Sequence, residues 1–146
     1  MSVRSILLVE DNPDDEELVL RSLRKANIAN DFTVAHDGAQ ALELLYGEGG
    51  RKAFKDGTLP AVVLLDLKLP KVGGFDVLKA IRSHPETHLL PVVILTSSSE
   101  EEDMLKSYEG GANSYVRKPV SFTEFAAAVK QLGLYWAILN SVPPMG

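Results

Sequence analysis

The 146-residue chain has no cysteine, which excludes a disulfide framework, a thiolate zinc site and a thiol nucleophile. Long apolar runs are missing too. No stretch approaches the roughly 18 apolar residues of a membrane-spanning helix. Met1-Ser2-Val3-Arg4 leads into only four apolar residues, Ile6-Leu7-Leu8-Val9, too few for the hydrophobic region of a secretory signal. A soluble, cytoplasmic chain is expected. Positive charge is in deficit, with 15 Lys plus Arg against 20 Asp plus Glu and a formal net charge of -5. The resulting field repels phosphate backbones and argues against unaided nucleic-acid binding. What is present is ordinary for a globular chain: 45% hydrophobic and 24% charged residues, enough for the core of one domain.

Ile6-Leu7-Leu8-Val9, Ala61-Val62-Val63-Leu64-Leu65 and Val92-Val93-Ile94-Leu95 are continuous apolar runs. Strands of a parallel sheet covered by helices on both faces read this way, because neither face meets water. Phe32-Thr33-Val34-Ala35 and Asn113-Ser114-Tyr115-Val116-Arg117 have β-formers but mixed polarity, which suits edge or near-edge strands. Helical stripes separate them. Val19, Leu20, Leu23 and Ala26 mark a helix starting after Asn12-Pro13 with acidic Asp14 to Glu17 in its first turn. Ala41, Leu42 and Leu45 mark a second helix, Val77, Leu78 and Ile81 a third, and Met104, Leu105 and Tyr108 a fourth. Phe122, Phe125, Ala126, Val129 and Leu132 mark a fifth. This alternation predicts an α/β fold: a five-stranded parallel, doubly wound sheet with helices on both faces and right-handed crossovers. Gly47 to Pro60 reads as a long surface connection, and residues 134–146 as an extension beyond a domain spanning 1–133.

Open α/β sheets bind ligands at the carboxyl ends of their strands. Glu10 and Asp11 follow the first strand, Asp66 ends the third, Thr96 ends the fourth, and Lys118-Pro119 follows the fifth. With the first and third strands adjacent, three carboxylates crowd together; two unit charges about 4 Å apart repel by roughly 4 kcal/mol at an effective dielectric near 20. A hard divalent cation answers that repulsion. Magnesium fits better than calcium, since it takes one or two carboxylates, keeps waters and accepts phosphate oxygens. Asp66, held at the end of a central strand, sits where a carboxylate nucleophile for phosphoryl transfer belongs. Lys118 supplies charge to a phosphoryl oxygen. The Thr96 hydroxyl can donate to another, so its orientation reports the phosphoryl group's presence.

These residues together resemble the receiver domain of two-component response regulators, over nearly all of Arg4 to Leu132. The acidic pair matches Glu10-Asp11, the phosphoacceptor Asp66 in Leu64-Leu65-Asp66-Leu67-Lys68-Leu69-Pro70, and the turn glycines Gly73-Gly74. The switch hydroxyl matches Thr96 and the lysine-proline pair Lys118-Pro119. The resemblance implies the flavodoxin-like strand order 2-1-3-4-5, magnesium as cofactor, and a Lys68 backbone carbonyl among its ligands. It also implies Tyr115 as a rotating switch aromatic, a sensor histidine kinase as phosphodonor, and a cis Lys118-Pro119 peptide. Catalysis is then confined to the protein's own phosphotransfer and autodephosphorylation. The Gly47 to Pro60 connection, Thr96-Ser97-Ser98-Ser99 and the Tyr135-Trp136 tail resemble the stand-alone regulators paired with bacterial phytochrome kinases. Lys68 departs from the commoner small polar residue of the family, and its ammonium bears on water access to an acyl phosphate.

A haloacid dehalogenase-type phosphatase needs a second acid two residues after its nucleophile, where this chain has Lys68. A flavodoxin-like carrier needs an anion-attracting loop after the first strand, which Glu10-Asp11-Asn12-Pro13-Asp14-Asp15 opposes. A degenerate receiver acting only as an interaction module would lack part of the constellation. His36, His84 and His88 share no motif and read as surface or packing residues. Output must come from contacts with a downstream protein. Leu132, Tyr135, Trp136 and Leu139 form an apolar stripe past Gly133 that predicts a homodimer; the competing expectation is that this tail folds back over its own domain.

Overall fold

The computed structural model describes residues 5–24, 31–47, 59–67, 69, 72–96, 109–112, 114–117, 123 and 127. Its elements run β1 (Ile6–Val9), α1 (Pro13–Arg24), β2 (Phe32–Ala35), α2 (Gly38–Tyr46), β3 (Val62–Asp66), α3 (Gly74–Ser83), β4 (Val92–Thr96) and β5 (Ser114–Arg117). All five strands form one parallel sheet in the order β2-β1-β3-β4-β5. The expected order is therefore the observed one, with the two mixed-polarity strands at the edges. The fourth and fifth helices, and the stripe from Leu132 to Leu139, lie outside the described residues except for single helical positions at 109, 123 and 127.

The continuous apolar runs divide between two cores because successive side chains of a strand point to opposite faces. Ile6, Leu8, Val62, Leu64, Val93 and Leu95 face the α1 side and meet Val19, Leu20 and Leu23. Leu7, Val9, Val63, Leu65, Val92 and Ile94 face the other side and meet Ala41 and Leu45 of α2 with Val77, Leu78 and Ile81 of α3. A fully buried aliphatic side chain contributes about 1.5–3 kcal/mol, so a strand covered on both faces is worth more per residue than an alternating one.

Local chemistry sets the helix ends. Asn12 Oδ1 accepts from the backbone N–H groups of Asp14 and Asp15 at 2.9 and 3.1 Å, and Pro13 occupies the first helical position, where it needs no donor. Asp37 caps α2 by accepting from Gln40 N at 2.7 Å, and Gly47 closes it with φ 79° and an N–H donated to Glu43 O. The pole away from the strands' carboxyl ends is tied by side chains. Arg82 donates through Nε to Gly111 O at 2.9 Å and through Nη1 to Leu90 O at 2.7 Å and His88 O at 3.1 Å. Burial lowers the Arg82 pKa, with Tyr46 acting in the opposite direction. Tyr46 stacks on His84 with ring centroids 3.8 Å apart and reaches Thr87 Oγ1 at 2.8 Å. Thr87, fully buried, donates to Ile81 O at 2.7 Å.

Candidate functional site

Parallel pairing delivers the strand ends to one rim in register. Val9 pairs with Leu65, Asp66 with Leu95, and Thr96 with Arg117. Glu10 therefore leaves β1 beside the residue that leads into Asp66, and its N–H is anchored to β2 by donation to Ala35 O at 2.9 Å. Carboxylate oxygens of Glu10, Asp11 and Asp66 all lie within 4.8 Å of one another. The three acids expected to converge do converge.

Their exposure differs sharply. Glu10 is 0% and Asp66 6% exposed, whereas neighbouring Asp11 is exposed. Burying a carboxylate is costly unless hydrogen bonds or charge compensate it. Glu10 Oε2 accepts the Asn12 N–H at 3.2 Å, and that amide is placed by the turn that also lets the Asn12 side chain cap α1. One residue thus starts the helix and orients a buried acid. Sequence reading placed the helix start here but did not assign Asn12 this second task; the signal available to it was Asn-Pro directly after an acidic pair.

The donor set suits a hard, oxygen-seeking divalent cation. All three oxygens are anionic, two come from buried carboxylates and one from an acid open to water, which matches a magnesium ion that retains part of its hydration. Asp66 belongs to β3 itself, one position further than the apolar run alone suggests, so its backbone is fixed by pairing with β4. Beyond it the chain turns back at Leu67, whose carbonyl accepts the Gly74 N–H at 3.1 Å.

Of the other expected site residues, Thr96 is the last residue of β4, one position beyond the partner of Asp66; its side chain lies outside the described residues, as do Lys68 and Lys118. Tyr115 pairs in register with Ile94 and is half-buried, packed against the core on the α2 and α3 side. Leu132, Tyr135, Trp136 and Leu139 are outside the described residues. None of the three histidines belongs to the acidic cluster: His36 Nε2 sits 3.0 Å from Glu16 Oε1, His84 stacks on Tyr46, and His88 Nδ1 contacts Arg82 O at 2.9 Å. Among the described residues, no helix is long and apolar enough to cross a membrane.

Comparison with known proteins agrees with this geometry. The response regulator receiver domain family matches residues 6–130. Response regulator Rcp1 from Synechocystis sp. is 33% identical over 138 residues, covering 94% of this chain and 92% of the relative. The bacteriophytochrome response regulator AtBRR superposes with a TM-score of 0.85 at 50% identity, covering 97% of this chain and 100% of that one. A second, RtBRR, gives a TM-score of 0.84 at 52% identity, covering 98% and 86%.

Proposed function

The chain belongs to the response regulator receiver family of two-component systems, and on that premise we propose that it takes a phosphoryl group on Asp66 from a sensor histidine kinase. The observation that carries this reading is a buried aspartate at the end of a central strand, with the oxygens of two further acids within 4.8 Å. An Asp66 carboxylate oxygen attacks phosphorus while the bond from phosphorus to the donor imidazole nitrogen breaks; the ring, protonated on its other nitrogen, takes the bonding pair and leaves as a neutral histidine, with an acyl phosphate left on the protein. Bound magnesium supplies charge that offsets the repulsion between the anionic nucleophile and the anionic phosphoryl group.

Glu10, Asp11 and Asp66 would hold that ion, with the Lys68 carbonyl as a further ligand. Lys118 pairs with one phosphoryl oxygen and the Thr96 hydroxyl donates to another. Tyr115 follows the position of Thr96 and carries the change toward the surface around β5. The likeness to bacteriophytochrome response regulators supports a phytochrome-type kinase as the donor. Signalling then runs through a downstream protein, and the apolar stripe Leu132, Tyr135, Trp136 and Leu139 supports a homodimer. No nucleic-acid or membrane contact is part of this reading.

Incubation with acetyl phosphate and magnesium, followed by intact-mass measurement, tests it. One phosphate adduct is expected on the wild type and none on Asp66→Asn; an undiminished adduct on the variant removes Asp66 as acceptor. For the dimer, sedimentation over a range of concentrations should show a Tyr135→Ala, Trp136→Ala double variant as a folded monomer where the wild type dimerises. A wild type that stays monomeric throughout, phosphorylated or not, rejects the dimer.

A further inference from the structure

Two glycines bracket the segment that follows Asp66. At Gly74, the first residue of α3, a Cβ would overlap the Asp66 carbonyl oxygen and stand 2.6 Å from Leu67 Cα and 2.8 Å from Leu67 O. At Gly38, the first residue of α2, a Cβ would overlap the Val72 carbonyl oxygen and stand 2.7 Å from the carbonyl carbon and 2.8 Å from Val72 Cβ. Real Cβ atoms do not approach backbone so closely, so any side chain at either position must displace something. Gly73, the residue before Gly74, differs: a Cβ there meets only Asp76 Oδ2 at 3.8 Å, an ordinary contact.

The Gly38 contact joins α2, which bears none of the acidic cluster, to the segment leaving the cluster. Which partner would yield is decided by how each is held. Asp37 caps α2, and Ala41 and Leu45 are fully buried in the core beneath it. Val72 lies in a turn ahead of α3 and is only half-buried. An added methyl would therefore push the turn that leads through Gly73 into Gly74, which donates to Leu67 O and lies against the backbone of Asp66 and Leu67. Helix propensity alone favours alanine over glycine by about 1 kcal/mol, although less in the first turn than in a helix interior, so local preference and packing oppose each other here.

We infer that Gly38 is a positioning residue for the acidic site: the bare first turn of α2 sets where Val72 lies, and through Gly73 and Gly74 how the Asp66–Leu67 backbone presents that carboxylate to Glu10 and Asp11. Resting on the magnesium and phosphoacceptor reading above, the inference gives α2 a share in shaping a site it does not touch.

The test compares the wild type, Gly38→Ala and Gly73→Ala by calorimetric titration with magnesium chloride alone, with circular dichroism and thermal melting to establish folding. Magnesium affinity should fall about tenfold in Gly38→Ala, the lower end for residues that orient a metal's ligands. Gly73→Ala should match the wild type. A folded Gly38→Ala with wild-type affinity overturns the inference, as does an equal loss in Gly73→Ala. Should Gly38→Ala not fold, Val72→Gly, which withdraws the turn's side chain without adding an atom, must show the same loss, and wild-type affinity there overturns the inference equally. Acetyl phosphate labelling is run in parallel. A wild type that binds magnesium but takes no phosphate on Asp66 sinks the phosphoacceptor reading, while the magnesium titrations still decide for or against Gly38.

Discussion

Replacing Asp66 by asparagine should make the metal-free protein more stable, although it removes the group on which the proposed chemistry depends. Asparagine keeps the size and shape of the side chain and discards its charge. Carboxylate oxygens of Glu10 and Asp66 lie within 4.8 Å, and both residues are buried. Two full charges at that separation repel by about 3.5 kcal/mol at an effective dielectric near 20. Water reaching the cluster past exposed Asp11, and the other interactions that Glu10 and Asp66 make, reduce the net relief to about 1–3 kcal/mol. For a chain of this length the midpoint of thermal unfolding should rise by about 3–10 °C. The assay is thermal denaturation in chelator, repeated with increasing magnesium. An ion at ten times its dissociation constant stabilises the native wild type by about 1.4 kcal/mol, so the advantage of Asp66→Asn should shrink as magnesium is added. A variant no more stable than the wild type in chelator would show that the carboxylates do not repel at this site, and a constant advantage at all magnesium concentrations would show that the ion binds elsewhere.

Other positions give independent checks. Ile81→Ala empties a fully buried place between α3 and the sheet and should cost about 2–5 kcal/mol in urea denaturation; a loss below 1 kcal/mol would mean that α3 is not packed as described. Asp37→Ala removes the acceptor for Gln40 N and should cost about 1 kcal/mol, with Asp37→Asn recovering most of it by the same measurement. Arg82→Met keeps most of the apolar stem but strips the donors from the Gly111, His88 and Leu90 carbonyls; a cost of about 2–3 kcal/mol is expected with calorimetric magnesium affinity unchanged, and a shift in that affinity would contradict the separation of the two poles.

Much of this architecture could be read from residue order because its determinants are local. Ile6-Leu7-Leu8-Val9 and Val92-Val93-Ile94-Leu95 are apolar without alternation, and both runs feed the two cores through opposite faces. Asn12-Pro13 announces a helix start, and the acids gather because parallel strands bring their carboxyl ends to one rim. Exposure within the acidic pair was not legible: Glu10 and Asp11 are adjacent and chemically alike, yet one is buried and the other faces water. That difference arises from where β1 ends against β2, a tertiary fact. Arg82 likewise gives no local sign that its guanidinium reaches carbonyls from two separate stretches of chain. Gly38 follows Asp37 as an ordinary helix opening would, and only the arrival of Val72 from the far side of β3 explains why a side chain does not fit there.

The unequal exposure of the three acids also has a kinetic side. Glu10 and Asp66 form the buried side of the cluster and Asp11 its exposed side, so a cation bound there as proposed would meet Asp11 first. Asp11 then stands at the threshold, and the rate of ion exchange should respond to its substitution at least as strongly as the equilibrium does. Magnesium gives up its hydration reluctantly. With the metal and phosphodonor as proposed, the time needed to load the ion, and not only its affinity, would bound how soon the protein answers a donor.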